Sequence, residues 1–166
     1  MSGSKRWLTW LANAGPLAAG AGVLLCSLYA PTPDILPRET ALPVGYFLAF
    51  AGIILLLYAL AHPLERHLAD TGSALSKSLR MGPYAVIRQP ITLAILTAFS
   101  GSALTRQSLP GVLVTLLALA PLLLWRARLQ ERNLAAQFGE RWEQYAASTG
   151  FILPCVLPSA KPRPPA

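Results

Sequence analysis

Residues Ala41–His62 read ALPVGYFLAFAGIILLLYALAH, with no Asp, Glu, Lys or Arg among them. The hydrocarbon core of a bilayer takes about 20 helical residues. By length and composition this stretch therefore predicts a membrane-crossing helix. Three further runs share its character: Trp7–Ala30, Ile91–Leu104 and Leu109–Trp125. The first is as long, and the fourth is marginal. The third is short unless Ala85–Ile87 continue it past Pro90. A helix satisfies its own backbone in lipid, and no alternating strand pattern competes. The whole chain agrees: of 166 residues, 54% are hydrophobic and 13% charged, with mean hydropathy +0.47. A soluble domain carries about twice that charged fraction. The reading is an all-α, polytopic membrane protein with four transmembrane helices and a cytoplasmic C-terminal helix.

The net charge of +7 raises the question of nucleic acid, and its placement answers it. Lys5 and Arg6 precede the first run. Arg66, Lys77, Arg80 and Arg88 lie between the second and third. Arg126, Arg128, Arg132, Arg141, Lys161 and Arg163 follow the fourth. Only Arg38 and Arg106 fall in the other two connections, so 12 of the 14 basic residues share one face of a four-span topology. The positive-inside rule puts that face, and both termini, in the cytoplasm. The expected location is the inner (cytoplasmic) membrane, with the lipid bilayer as partner and anionic headgroups favoured by the same charges. No nucleic-acid partner is expected. The first run, with a basic start but no Ala-x-Ala site before Pro31, reads as a retained helix and not a cleaved signal. This topology separates Cys26 from Cys155 and excludes a disulfide between them.

The first helix is expected over Leu8–Tyr29, with Gly15, Ala18, Ala19 and Gly22 spaced for close packing. A Pro-rich outer loop, Ala30–Thr40, leads to a second helix, Leu42–Ala61. Pro63–Leu79 reads as an amphipathic surface helix, broken by Gly82-Pro83. A third helix starts near Pro90, a favoured first-turn residue, with Ala94, Ala98 and Ser102 as its packing face. Thr105–Pro110 makes a tight turn, so the third and fourth helices form an antiparallel hairpin. The fourth continues beyond Trp125 until Gly139 bends or interrupts it. Residues 1–153 form one domain. Residues 154–166, with Pro154, Pro158, Pro162, Pro164 and Pro165, form a disordered tail.

Phosphate loops, zinc spacings and a Ser/His/Asp set are all missing. His62 and His67 flank Glu65 at a spacing poor for one metal, and no metal site is expected. No Asp or Glu lies inside the four runs, which argues against a proton-coupled transporter.

Two polar stretches remain. The first is Gly82-Pro-Tyr84-Ala-Val-Ile-Arg88-Gln89-Pro90-Ile-Thr92-Leu-Ala94. The second is Gln130-Glu131-Arg-Asn-Leu134-Ala-Ala-Gln-Phe138-Gly139-Glu-Arg-Trp142-Glu-Gln-Tyr145. Their order, interval and intervening hairpin resemble the isoprenylcysteine carboxyl methyltransferase and phospholipid methyltransferase family. The resemblance covers about Ser76 to Pro154, nearly half the chain. The chain departs from the family pattern at Gln89 (there His), Thr92 (Tyr), Ala94 (Gly) and Gln130 (Glu).

The resemblance implies an S-adenosylmethionine site at the cytoplasmic ends of the third and fourth helices. Tyr84, Arg88, Gln89, Pro90, Thr92 and Gln130 match its cofactor-contacting positions. Arg126 matches an Arg that handles the acceptor, and Glu131 stands as a base for an amine or thiol. The implied activity is a membrane methyltransferase acting on a lipidic or small hydrophobic carboxylate, amine or thiol. Methyl transfer asks the protein to align two reactants and exclude water. The alternative is a relative that keeps the fold and acts as a lipid-binding or scaffold protein. A small transporter or channel subunit is the third reading.

Overall fold

The computed structural model describes residues 3–29, 36–62 and 82–154, with backbone only at 3–12 and 141. Its regular structure is helical throughout, with no strand among the described residues. The helices are α1 (Gly3–Tyr29), α2 (Arg38–Ala61), α3 (Pro90–Thr105), α4 (Leu109–Phe138) and α5 (Glu140–Ser148). A 3-10 turn, Pro83–Ala85, precedes α3. The surface helix expected over Pro63–Leu79, with His67 and Glu65, lies outside the described residues, as does the tail from Cys155 onward.

Among the described residues, two helices are long and apolar enough to cross a membrane: α2, with mean hydropathy 2.3 in its most apolar window, and α4, with 1.8. A soluble core helix of that composition would be mostly buried. In these two windows only 17% and 22% of residues are buried within the chain. Phe47, Ile54, Leu116 and Leu117 lie open to the surroundings. The third apolar run is short, as its length predicts. At 16 residues, α3 is about 24 Å long. It does not continue back through Ala85–Ile87, because Pro90 forms its first turn and Gln89 has left helical geometry.

Side-chain neighbours fix the directions. Asn13 meets Arg126, Gly15 faces Leu122, Gly22 faces Val114, and Ser27 lies by Gly111. Numbers that rise on one helix and fall on the other make α1 and α4 antiparallel. The same test pairs α2 with α3: Gly45 lies against Thr105, Ala49 against Gly101, and Gly52 against Ala98. Val23, Ala103, Leu119 and Leu123 form a core shared by α1, α3 and α4. Helix α2 flanks that trio through α3.

Local chemistry explains the breaks. Gln107 takes φ +53° in the α3–α4 turn. Ser108 caps α4, its hydroxyl accepting from Gly111 N–H at 3.1 Å; this is a favoured N-cap residue. Within α4, Thr115–Leu119 forms a π turn just ahead of Pro121. A proline has no N–H to offer the preceding turn and crowds its carbonyl, and a widened turn absorbs that defect. Gly139 ends α4 at φ +51°, ψ −127°, backbone that suits glycine alone. The interruption expected at Gly139 is therefore present, and α5 starts in a new direction.

Candidate functional site

The two polar stretches meet at one end of the helices, next to the C-terminal end of α2. Gly82 has φ +92°, which glycine permits, and a Cβ added there would come 3.4 Å from the His62 ring. His62 terminates α2, with Nδ1 3.0 Å from the Tyr58 carbonyl. That carbonyl can only accept, so Nδ1 carries the proton. The turn buries Pro83 and Tyr84. Tyr84 packs with Ala59, Trp142 and Tyr145, and Leu134 and Phe138 close the cluster. The Tyr145 hydroxyl donates to the Tyr84 carbonyl at 2.8 Å. Burial pushes that hydroxyl well above the ordinary tyrosine range, against the lowering effect of its bond with Thr149. It stays a proton donor at any ordinary pH.

After the turn, the chain pairs with the segment behind α5. Arg88 N–H donates to Gly150 O at 2.7 Å, Gln89 N–H to Phe151 O at 3.0 Å, and Gly150 N–H to Val86 O at 3.3 Å. This short parallel bridge ties both ends of the resemblance together. Arg88 reaches α4, where its Nε lies 3.4 Å from Glu131 Oε1; the two side chains are 19% and 20% exposed. Its guanidinium also stands 5.8 Å from the Phe151 ring centre, within range of a cation–π contact. The Arg88 and Glu131 atoms are buried, yet neither makes a hydrogen bond. The pair is thus held by charge and proximity, with directional capacity unused. Glu131 lies past Trp125, where the apolar stretch of α4 ends. Burial raises its pKa, opposed first by Arg88 and then by Arg128.

The candidate residues divide into three groups. Arg88, Gln89 and Glu131 come together, with Gln89 Nε2 donating to the Ala127 carbonyl of α4 at 3.4 Å. Tyr84, Pro90 and Thr92 are buried beside them; they shape the site from inside the protein. Gln130 and Arg126 lie elsewhere. Gln130 is exposed, and Arg126 Nε donates to Asn13 Oδ1 of α1 at 3.2 Å. Arg126, Gln130, Leu134, Phe138 and Trp142, spaced by four in sequence, do not form one continuous face, since Gly139 divides them between two helices. The face of α4 that meets the loop runs instead through Ala127 and Glu131, spaced by four; Leu123, one turn earlier, packs in the core with α1 and α3.

Sequence reasoning missed Asn13, Ala127 and the Gly150–Phe151 segment. Small Ala127 one turn before Glu131 was the available signal for close approach on that face. Nothing local marked the other two. No family model matches the chain, and no curated protein or solved structure shows significant similarity to it.

Proposed function

We propose that the chain is a membrane methyltransferase that binds S-adenosylmethionine beside Arg88 and Glu131, at the cytoplasmic ends of four spanning helices. In this reading α1 and the shorter α3 also cross the inner membrane, and both termini are cytoplasmic. The observation that carries it is the Arg88–Glu131 pair. Two stretches, resembling one family's paired motifs, are about forty residues apart in sequence and meet through these side chains, with an unmet buried donor facing an unmet buried acceptor. That donor set fits a zwitterionic ligand: the guanidinium suits a carboxylate, and the Glu131 carboxylate suits an ammonium group. When bound, the cofactor supplies an activated methyl group on a sulfonium.

The chain's own residues do the rest. The Gly150–Phe151 pairing holds Arg88 and Gln89 in register. The Gln89–Ala127 bond fixes the loop to α4. The Tyr84, Trp142 and Tyr145 cluster keeps water from one wall, which strengthens the charges beside it. Arg126, on the α1 side, is placed to meet the head of a lipidic acceptor.

A second reading has its own observation. Tyr84, Gln89 and Thr92 are already buried in the protein's packing, and Gln130 faces outward. A relative that keeps the fold as a lipid-binding or scaffold protein would look this way. Calorimetry of S-adenosylmethionine on detergent-purified protein separates the two. The methyltransferase reading expects saturable binding, weakened about tenfold or more (1.4 kcal/mol per tenfold) by Glu131→Gln or Arg88→Gln and unchanged by Arg132→Gln. No saturable binding by folded protein at millimolar cofactor sinks it and leaves the scaffold.

A further inference from the structure

Two arginines of the described residues sit near the end of the apolar part of α4, and they are treated oppositely. Arg88 faces a carboxylate, Glu131. Arg126 is half-buried and oriented by a neutral amide, the Asn13 Oδ1. No carboxylate among the described residues pairs with Arg126. An amide fixes the direction of a guanidinium without cancelling its charge, and the Nε contact leaves the two terminal nitrogens to present a fork to an anion.

Depth narrows the choice of anion. Arg126 directly follows Trp125, a residue type that anchors at the membrane–water interface. One turn deeper, Leu122 of α4 packs on Gly15 of α1. The position is that of lipid phosphates, and a guanidinium fork matches a phosphate's oxygens. Exposed Arg128 adds positive potential and favours a lipid with net negative charge.

We infer that Asn13 and Arg126 form a headgroup site for an anionic phospholipid where α1 meets α4, with Asn13 as the positioning residue. The site requires α4 to lie in the bilayer. It does not require methyl transfer, so its failure and that of the cofactor reading show in different measurements.

The test is native mass spectrometry of the detergent-released full chain in an equimolar mixture of phosphatidylglycerol and phosphatidylcholine. The parent protein retains phosphatidylglycerol severalfold over phosphatidylcholine. Arg126→Gln removes the preference. Asn13→Asp also removes it, because a carboxylate neutralises Arg126 while keeping the contact. A merely structural role would make Asn13→Asp neutral or stabilising. Asn13→Ala weakens the preference, and Arg132→Gln retains it. Circular dichroism establishes that each variant is helical; should Asn13→Asp fail to fold, Arg126→Gln and Asn13→Ala decide. Inorganic phosphate at millimolar concentration leaves the lipid in place. The proposal is overturned if Arg132→Gln loses as much preference as Arg126→Gln, if Arg126→Gln retains it, or if free phosphate displaces the lipid.

Discussion

The α2–α3 and α1–α4 contacts are both antiparallel, both carry small residues, and are built differently. Between α2 and α3 the glycines are spacers for backbone. A Cβ on Gly52 would meet Ala98 N at 2.5 Å and Ala94 O at 2.7 Å, and one on Gly101 would strike Ala49 N. Between α1 and α4 the glycines face side chains. A Cβ on Gly15 would come 3.4 Å from Leu122, and one on Gly22 would sit 3.7 Å from Val114. Where helices lie in lipid, the tails offer them no hydrophobic drive to associate, and close backbone approach is one way to gain dispersion energy. Interlocked side chains are another. The difference matters for the site. Helix α2 delivers Ala59 and His62 to the Gly82 loop, and among the described residues α3 is its main partner, with Ala59 also packed on Trp142 and Tyr145 of α5.

The largest expected effect tests the first contact. Gly52→Ala or Gly101→Ala should destabilise the protein by about 1–3 kcal/mol, the range for overpacking, because the obstacle is backbone and cannot rotate aside. The thermal unfolding midpoint in detergent should fall clearly. An unchanged midpoint would mean that α2 and α3 are not in backbone contact.

Removing the link at the end where the two contacts converge comes next. Tyr145→Phe deletes the buried 2.8 Å bond to the Tyr84 carbonyl, at a cost of about 0.5–1.5 kcal/mol. Limited proteolysis should then cut near Gly82 faster than in the parent. Equal rates would show that ring packing alone holds the loop.

The smallest effect belongs to α1. Gly22→Ala meets ordinary van der Waals distance and gains up to about 1 kcal/mol of helix propensity. The midpoint should stay or rise slightly. A fall comparable to that of Gly52→Ala would erase the distinction between the two contacts.

The sequence predicted the α3 packing face as Ala94, Ala98 and Ser102. Ala94 and Ala98 do lie against α2, at Gly52, but the third close approach is Gly101, which meets Gly45 and Ala49; neither glycine of α2 is marked by the spacing. The small residues of α1 attracted attention for the same spacing, yet their neighbours are leucine and valine side chains. Spacing identifies a face that permits close approach. It does not say whether the opposite helix presents backbone or side chains there.

What the sequence determined by itself is local and periodic. Charge-free runs become helices, because length and composition decide which segments leave water. Pro90 starts α3, because its ring fixes φ, and Gly139 ends α4, because glycine alone tolerates the angles found there. The tertiary structure decided which of several similar rows on α4 meets the loop: Ala127 and Glu131 face it, while Gln130 faces away. It also brought Gly150 and Phe151 beside Arg88 and Gln89, and Asn13 beside Arg126. Those choices depend on the rotation of one helix against another and on the end of a distant segment. A helix surface repeats every turn, so its own sequence offers several equivalent faces, and only the partner's packing selects one.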